Sequence, residues 1–185
     1  VETYTDDELM VLLKKPNTKK LAVNSLLLAT GLILHQIMPV FGLPMEPDMA
    51  LATLFIIILL NRDSFLTCLN AGLVTGIFTA LTTKFPGGQL PNFIDKVVTT
   101  IVVYILISLL YKLPFVKKMS NNAKDWIMSL IIYPLGTFVS GTLFLYSASH
   151  IVGLPASFVT LVLCIVVPAT ILNSVFGFFL IKMTK

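Results

Sequence analysis

Apolar segments of helical length, separated by short polar connections, dominate the pattern of this sequence. Six such segments follow one another along the chain: Leu21–Pro39, Asp48–Leu60, Phe65–Thr83, Pro91–Leu110, Trp126–Ser149 and Ala156–Ile181. A helix that crosses a bilayer needs about 20 residues, with a range of roughly 17–25. The second segment has only 13 residues, so it crosses with little tilt, sits in a thinned region, or fails to cross. Because lipid offers no partner to an open backbone, the pattern predicts helices throughout.

The composition supports an all-α integral membrane protein. Of the 185 residues, 56% are hydrophobic and only 12% are charged, whereas a soluble domain carries about a quarter charged residues. We expect a single transmembrane domain over residues 20–185, preceded by a cytoplasmic tail over residues 1–19. Within that tail, Asp7–Lys15 has an amphipathic pattern. It either lies on the inner membrane surface or is a partly helical tail without a special role.

The distribution of Lys and Arg decides the topology. If all six segments cross and the N-terminus is inside, 11 of the 13 basic residues fall on the inner side. These residues are Lys14, Lys15, Lys19, Lys20, Arg62, Lys112, Lys117, Lys118, Lys124, Lys182 and Lys185. Without a crossing by the second segment, the cluster from Lys112 to Lys124 would move outside, against the positive-inside rule. We therefore predict six transmembrane helices with both termini in the cytoplasm. Pro134 and Pro168 fall inside spans and are expected to kink them.

Most of the unusual polar residues gather on the outer side in this topology. The most informative stretch is Phe85–Lys96, which combines a Gly87-Gly88 turn with polar residues at the start of the fourth helix. Ionisable groups in such an apolar setting are costly unless something binds them. The substrate-binding residues predicted from these outer regions are His35, Gln36, Met45, Glu46, Asp48, Gly87, Gly88, Gln89, Asn92, Asp95, Lys96 and Tyr146.

One stripe of the fourth helix carries Asn92, Asp95, Lys96 and Thr99, at offsets 0, 3, 4 and 7. Adjacent residues on a helix do not face each other, so we expect the Asp95 and Lys96 side chains to diverge. A zwitterionic amino acid supplies both with partners, an ammonium for Asp95 and a carboxylate for Lys96. Backbone amides at the helix start are a further carboxylate site. In the alternative interpretation, Asp95 caps local structure while Lys96 snorkels to the interface.

For several residues near the outer mouth, the sequence allows either a structural role or a role in ligand binding. His35 is either a satisfied core or interface histidine or a ligand contact. Tyr146 and its aromatic neighbours are either membrane-belt residues or walls that stack on a planar ligand. Glu46 and Asp48 flank Pro47, and one of them can simply favour the N-terminus of the second helix. The Gly87-Gly88 turn, set between Pro86 and Pro91, is expected to form a rigid-ended flap over a site.

Stripes of small residues predict close helix contacts. In the third segment they recur every four positions from Gly72 to Ala80, which favours tight packing within the bundle. The first segment carries Ala22, Ser25 and Ala29 at offsets 0, 3 and 7, either for internal packing or as a docking face for a second membrane subunit. Asn173, in the last segment, is expected to form an interhelical hydrogen bond.

The sequence lacks the motifs of the common enzyme classes. It contains no Walker sequence, no G-x-S-x-G and no H-E-x-x-H, so we predict neither catalysis, nor ATP hydrolysis, nor a cofactor or metal site. Cys68 and Cys164 show no metal or disulfide spacing. The net charge of +4 comes from the inner lysines and does not indicate nucleic-acid binding.

The chain resembles the bacterial tryptophan-transporter family, counted among substrate-binding S components of energy-coupling-factor (ECF) transporters. The likeness rests on the His35 region, Met45–Met49, Gly72–Thr83 and above all Phe85–Lys96. It implies a six-helix S-component bundle in the bacterial plasma membrane that captures L-tryptophan from outside. It also implies three partner subunits, namely a membrane coupling subunit and two ATPases. In folds of this kind the first helix meets the coupling subunit, which suits the Ala22, Ser25 and Ala29 stripe.

A binding mechanism follows from this resemblance. The tryptophan ammonium is expected to face acids such as Asp95 or Glu46, and the indole N–H to find an acceptor in Gln36, Gln89 or Asn92. Two other functions stay open at this point. One is a stand-alone secondary transporter in which Asp95, Glu46 or His35 carries a proton, and the other is a non-transporting membrane scaffold.

Overall fold

The computed structural model describes residues 18–37 and 48–183, and this part of the chain is helical without strands. The helices are α1 Thr18–Ile37, α2 Met49–Leu60, α3 Phe65–Thr82, α4 Gln89–Leu110, the short α5 Pro114–Lys117, α6 Asn121–Ile151, α7 Phe158–Leu161 and α8 Val167–Met183. A π-helical turn, Val162–Val166, joins α7 to α8. The predicted all-α class is confirmed, whereas Met45, Glu46 and the tract Asp7–Lys15 lie outside the described residues.

Within the described residues, five stretches are long and apolar enough to cross a membrane. They are Thr18–Ile37, Phe65–Thr82, Gln89–Leu110, Trp126–Ile151 and Phe158–Phe179. The remaining predicted segment, the second along the chain, corresponds to α2, whose 12 residues span about 18 Å at 1.5 Å per residue. That length is well short of the roughly 30 Å of a hydrocarbon core.

Helix α2 forms the centre of the bundle. Every residue from Met49 to Ile58 is at most 4% exposed, and the helix contacts α1, α3, α4, α6 and α8. Its sequence shows no polar face because it is surrounded by protein on all sides. On α6, the Tyr133 hydroxyl donates to the Ala52 carbonyl at 3.0 Å, which attaches the central helix to its neighbour. The elements that carry the cavity described below are therefore built around α2.

Small residues let neighbouring helices approach closely. A Cβ added at Gly72 would lie 2.2 Å from Thr100 Oγ1 of α4, and one added at Gly76 would lie 3.1 Å from the Phe93 ring. The prediction that this stripe packs within the bundle is therefore confirmed for both glycines. A Cβ added at Gly177 of α8 would likewise lie 2.3 Å from the Tyr133 ring of α6.

Contacts at one end of the bundle fix the direction of the helices. Lys20, near the start of α1, forms an ion pair of 3.3 Å with Asp63, which follows α2. Arg62 lies 4.1 Å from the centroid of the Tyr111 ring, just past α4. Trp126 of α6 stacks on Phe178 of α8. We call this the basic end, and the opposite one the cavity end; α1, α2, α3, α4, α6 and α8 alternate in direction between them.

The last span is disturbed close to Pro168, where the sequence predicts a kink. The disturbance takes the form of the π-helical turn Val162–Val166, which contains Cys164, the residue four positions before the proline. Proline removes the N–H that would bond to that carbonyl and its ring crowds it, and a π turn relieves such a conflict. Pro134, by contrast, lies inside α6, which is assigned as one helix from Asn121 to Ile151.

Candidate functional site

A buried ionic cluster joins α2 and α4 near the cavity end. Lys96 of α4 lies between two carboxylates: its Nζ is 2.8 Å from Asp48 Oδ2 and also donates to Asp95 Oδ2. Asp95 and Lys96 are each 1% exposed. Charges so deeply buried are tolerated only when they are paired and hydrogen-bonded, and this pairing meets that requirement.

Each carboxylate of the ionic cluster is held by its own helix and by a second group. The Thr99 hydroxyl, one turn along α4, donates to Asp95 Oδ1 at 2.9 Å, and the Ser140 hydroxyl of α6 donates to Asp95 Oδ2 at 2.9 Å. Asp48 is the N-cap of α2, and its Oδ1 accepts the Leu51 N–H at 3.0 Å. Capping by aspartate is a common way to satisfy the first amides of a helix. The cluster is thus fixed by secondary structure on both sides.

The expectation that Asp95 and Lys96 diverge is wrong. It relied on the rule that adjacent helical residues do not face each other, which holds for short side chains. The flexible four-carbon stem of lysine reaches back to its neighbour, and burial leaves no water to compete for the ammonium. For the same reason Lys96 does not snorkel to the interface, because its exposed fraction is only 1%.

The ionic cluster carries more negative than positive charge. Two carboxylates share one lysine ammonium, and His35 Nδ1 of α1 lies 3.5 Å from Asp48 Oδ1. Among the described residues, that ring nitrogen has no hydrogen-bond partner. With both acids ionised, the cluster has one more negative charge than positive charge in a poorly hydrated place. It therefore favours an additional cation such as the ammonium of a ligand.

A cavity of about 260 Å³ opens against this cluster. Its walls come from six parts of the chain: the end of α1, the start of α2, the end of α3 with the following turn, the start of α4, the middle of α6, and the π turn with α8. The lining residues are His35, Asp48, Leu51, Thr82, Thr83, Lys84, Phe85, Asn92, Asp95, Lys96, Thr137, Ser140, Gly141, Phe144, Ile165, Val166, Ala169 and Asn173. Phe85 and Phe144 meet edge to face at 5.4 Å between ring centroids and supply an aromatic wall.

Five of the predicted binding residues line this cavity, and they belong to three helices. They are His35, Asp48, Asn92, Asp95 and Lys96. The Asn92 Nδ2 donates to Thr83 Oγ1 at 2.8 Å, which attaches the first turn of α4 to the end of α3. The structure thus brings together His35 of α1, the α2 cap Asp48, and Asp95 and Lys96 of α4.

The other predicted residues that the structure describes lie outside the cavity wall. Gln36 lines a separate groove with four largely apolar neighbours, and Gln89 is exposed on the first turn of α4. Tyr146 is 59% exposed and its ring contacts His150 at 4.5 Å. Phe144 faces the cavity, and two positions further along a helix point about 200° away. That rotation explains why Tyr146 faces outward.

The Gly87-Gly88 turn connects α3 to α4 beside the cavity. Gly87 has a φ of +71°, a conformation that favours glycine, and a Cβ there would lie 2.6 Å from Val152 Cγ1. The Gly88 N–H donates to the Phe85 carbonyl at 2.9 Å. The turn therefore packs against the end of α6 and positions Phe85 in the wall, while its predicted movement as a flap stays a prediction.

Sequence reasoning missed the wall contributed by α6 and α8. Thr137, Ser140, Gly141 and Phe144 stand at offsets 0, 3, 4 and 7 and share one face of α6. The sequence does contain this pattern. A stripe of polar and small residues along an apolar span indicates a helix face that packs away from lipid. On α8, Asn173 lies in the cavity wall, although the sequence predicted only an interhelical bond for it.

The stripe of small residues on α1 has no partner inside the bundle. Ala22, Ser25 and Ala29 are all exposed, whereas Gly31 on the opposite side of α1 is buried against Thr53 of α2. Internal packing is therefore not the use of this stripe within the described part of the chain. Its use for docking stays a prediction.

The structure is a helical membrane bundle with a buried ionic cluster beside a partly aromatic cavity. This arrangement is typical of multi-pass membrane proteins that bind a small polar solute internally. Comparison with known proteins narrows this class. The model of the family described as "Tryptophan transporter TrpP" matches residues 17–185. The chain belongs to this tryptophan transporter family, as the sequence motifs predicted, and is a multi-pass protein of the bacterial plasma membrane. Membership of a transporter family also agrees with the prediction that the chain is not an enzyme.

Three curated relatives carry the name "Probable tryptophan transport protein". The one from Clostridium perfringens (strain 13 / Type A) is 52% identical over 169 residues, covering 91% of this chain and 92% of the relative. Those from Clostridium acetobutylicum and Bacillus subtilis (strain 168) are 50% and 41% identical, covering 87% and 85% of this chain and 88% and 86% of the relatives. No solved structure matches the chain.

Proposed function

We propose that this chain captures L-tryptophan at the outer face of the membrane and delivers it for uptake as the S component of an ATP-driven ECF transporter. The observation that carries the proposal is the cavity itself. One side of it is the ionic cluster, in which two carboxylates share one lysine ammonium, and another is formed by Phe85 and Phe144. The family names support tryptophan as the solute.

The charges in the cavity suggest how the two ends of an amino acid are bound. The tryptophan ammonium approaches Asp48 and Asp95, where it completes the charge balance of the ionic cluster. Lys96 is already engaged by both acids, so it serves to hold them in place. We assign the carboxylate to Lys84, which lines the cavity at its exposed mouth. Gly88 and Gln89 do not line the cavity, which argues against the helix-start amides for this role.

We further propose that six segments cross the membrane, with both termini in the cytoplasm and the cavity open to the outside. The alternating direction of the helices supports this topology, because α2 must count as a pass for the others to alternate. Lys20, Arg62 and the start of α6 then share the cytoplasmic side, in agreement with the positive-inside rule. The transmembrane domain corresponds to residues 20–185.

The proposed partners are a membrane coupling subunit and two ATPase subunits. The sequence contains no nucleotide-binding motif of its own, so the proposed ATP-driven mechanism assigns ATP hydrolysis to other chains. The exposed face of α1 around Ala22, Ser25 and Ala29 allows another helix to approach closely. It is our candidate for the surface that meets the coupling subunit.

Titration with analogues that lack one charge tests the binding mode. Purified protein should bind L-tryptophan in preference to tryptamine, which lacks the carboxylate, and to indole-3-propionate, which lacks the ammonium. We expect indole-3-propionate to lose the most, at least about a hundredfold, because it keeps the carboxylate but lacks the ammonium that balances the charge of the ionic cluster. Isothermal titration calorimetry in detergent measures all three ligands. Equal affinity for tryptophan and indole-3-propionate would contradict the proposed role of the acids.

The Lys84→Ala variant provides the matched test for the carboxylate. It should reduce the affinity for tryptophan by roughly tenfold and leave tryptamine binding unchanged, so the advantage of tryptophan over tryptamine shrinks. Lys112→Ala, an exposed lysine beyond the far end of α4, is the control. A variant that loses affinity for both ligands equally would place Lys84 in a general structural role.

A proton-coupled secondary transporter is the second candidate, and the position of His35 beside Asp48 favours it. Uptake assays separate the two mechanisms. For an S component, tryptophan uptake should disappear when the host lacks the partner ATPases and should survive collapse of the proton gradient at constant ATP. The opposite pair of results would establish the secondary transporter instead. Absence of any small-molecule binding would leave only the membrane scaffold.

A further inference from the structure

Two buried polar side chains at the deep side of the cavity have no hydrogen-bond partner. Within the described part of the chain, neither Nδ2 nor Oδ1 of Asn173 makes a hydrogen bond, and the Thr137 hydroxyl makes none either. Asn173 is 1% exposed and Thr137 is 4% exposed. Burial of an amide without any partner is rare and costly. These polar atoms are therefore candidates for hydrogen bonds to a ligand. Both residues line the cavity.

The packing of α6 against α8 places these two residues at the same level. Gly177 of α8 lies against Tyr133 of α6, and Gly141 of α6 lies against Val166 near the start of α8. The helices run in opposite directions, so one turn from the first of these contacts leads to Asn173 on α8 and Thr137 on α6. Ser140, one turn from Thr137 toward the cavity end, already donates to Asp95. Asn173 and Thr137 therefore lie deeper in the cavity than the ionic cluster.

We propose that Asn173, supported by Thr137, is the subsite that receives the ring N–H of the bound tryptophan. This inference rests on the proposed function and deepens it by naming the residue that distinguishes an indole from a plain aromatic ring. The Asn173 side-chain oxygen accepts the indole N–H, and the Thr137 hydroxyl, which also lines the cavity, is a second polar group available to the ligand. With the ammonium at Asp48 and Asp95, the ring extends from the ionic cluster toward α8 and the deep side of the cavity.

The acceptors expected from sequence alone fit this role less well. Gln36 lines a different groove, Gln89 is exposed outside the cavity, and Asn92, whose Nδ2 donates to Thr83, lies one turn nearer the cavity mouth than the ionic cluster. The expected interhelical bond of Asn173 is likewise absent from the described residues. A site built to hydrogen-bond a ligand group discriminates strongly against an analogue that lacks it, because its own polar atoms are then left unsatisfied.

Titration with a ring analogue tests the proposal directly. In β-(3-benzothienyl)-L-alanine, sulfur replaces the indole N–H while the amino-acid part and the bicyclic shape are kept. We expect wild-type protein to bind tryptophan about ten- to a hundredfold more tightly than this analogue. In Asn173→Leu the preference should fall to near unity through loss of tryptophan affinity. In Thr137→Val it should fall partway.

The outcomes of this experiment separate the proposed role of Asn173 from the proposed capture of tryptophan. Asn70→Leu, the same change at an exposed position of α3, should keep the wild-type preference. Equal wild-type affinity for tryptophan and the analogue would overturn the role of Asn173 while leaving tryptophan capture intact, and it needs no variant to fold. An undiminished preference in Asn173→Leu would overturn the role as well. Failure of wild-type protein to bind tryptophan at all would instead remove the proposed function.

Discussion

Replacing Asp95 by asparagine should lower the affinity for L-tryptophan by roughly ten- to a hundredfold, since interactions with charged groups contribute about 1.5–3 kcal/mol. The substitution keeps the size of the side chain and leaves an oxygen acceptor for the Thr99 or Ser140 hydroxyl. It removes one of the two carboxylates around Lys96, so the cluster becomes balanced without a ligand. The electrostatic attraction between the cluster and the ligand ammonium is then lost.

Calorimetric titration of Asp95→Asn measures this effect, with thermal unfolding as a parallel readout. The matched control is Asp63→Asn, which removes an exposed carboxylate paired with Lys20 at the basic end and should leave tryptophan affinity unchanged. Wild-type affinity in Asp95→Asn would refute the proposed role of the ionic cluster. A drop in affinity that is matched by unfolding would assign Asp95 to stability alone.

Replacing Lys96 by methionine should have the largest effect on stability of any single substitution in the cluster. Methionine preserves most of the volume of the lysine stem, so packing changes little. Asp48 and Asp95 would however be left as two buried carboxylates without their shared ammonium. Removing one partner of a buried ion pair costs about 3–5 kcal/mol, and the remaining acids also repel each other. We expect a clear fall in the midpoint of thermal unfolding in detergent.

A double variant shows whether charge or packing causes the loss. In Asp95→Asn with Lys96→Met, only the Asp48 carboxylate remains, close to His35, and most of the repulsion is gone. This variant should therefore be more stable than Lys96→Met alone, although it contains more substitutions. A double variant that is less stable than the single one would show that lost packing of the lysine stem is the main cause of the destabilisation.

The class and the helices were predictable because a bilayer imposes a strong and simple constraint. Each span needs an apolar run of a certain length, so the segments could be identified from hydropathy alone. The predicted span Phe65–Thr83 corresponds to α3, Phe65–Thr82, within one residue. Hydropathy does not report which helix is surrounded by the others. The central position of α2 therefore had to come from the structure.

The candidate site was predictable where its residues are charged, and hidden where they are neutral. Asp48, Asp95 and Lys96 stand out because ionisable groups are rare in apolar segments. Thr137 and Asn173 do not, since neutral polar residues also serve as ordinary contacts between membrane helices. The direction of single side chains was also beyond the sequence. The pairing of Asp95 with Lys96 depends on how far a flexible lysine bends, and adjacency along the helix does not fix that.

The seclusion of α2 has a consequence for how the protein responds to its lipid environment. A helix that faces lipid must match the thickness of the hydrocarbon layer, and each ångström of hydrophobic mismatch carries a cost of a fraction of a kcal/mol. From Met49 to Ile58, α2 is buried in protein, so its length is free of that requirement. Thicker or thinner bilayers act on the outer helices, while the capped end of α2 that holds Asp48 is insulated from them.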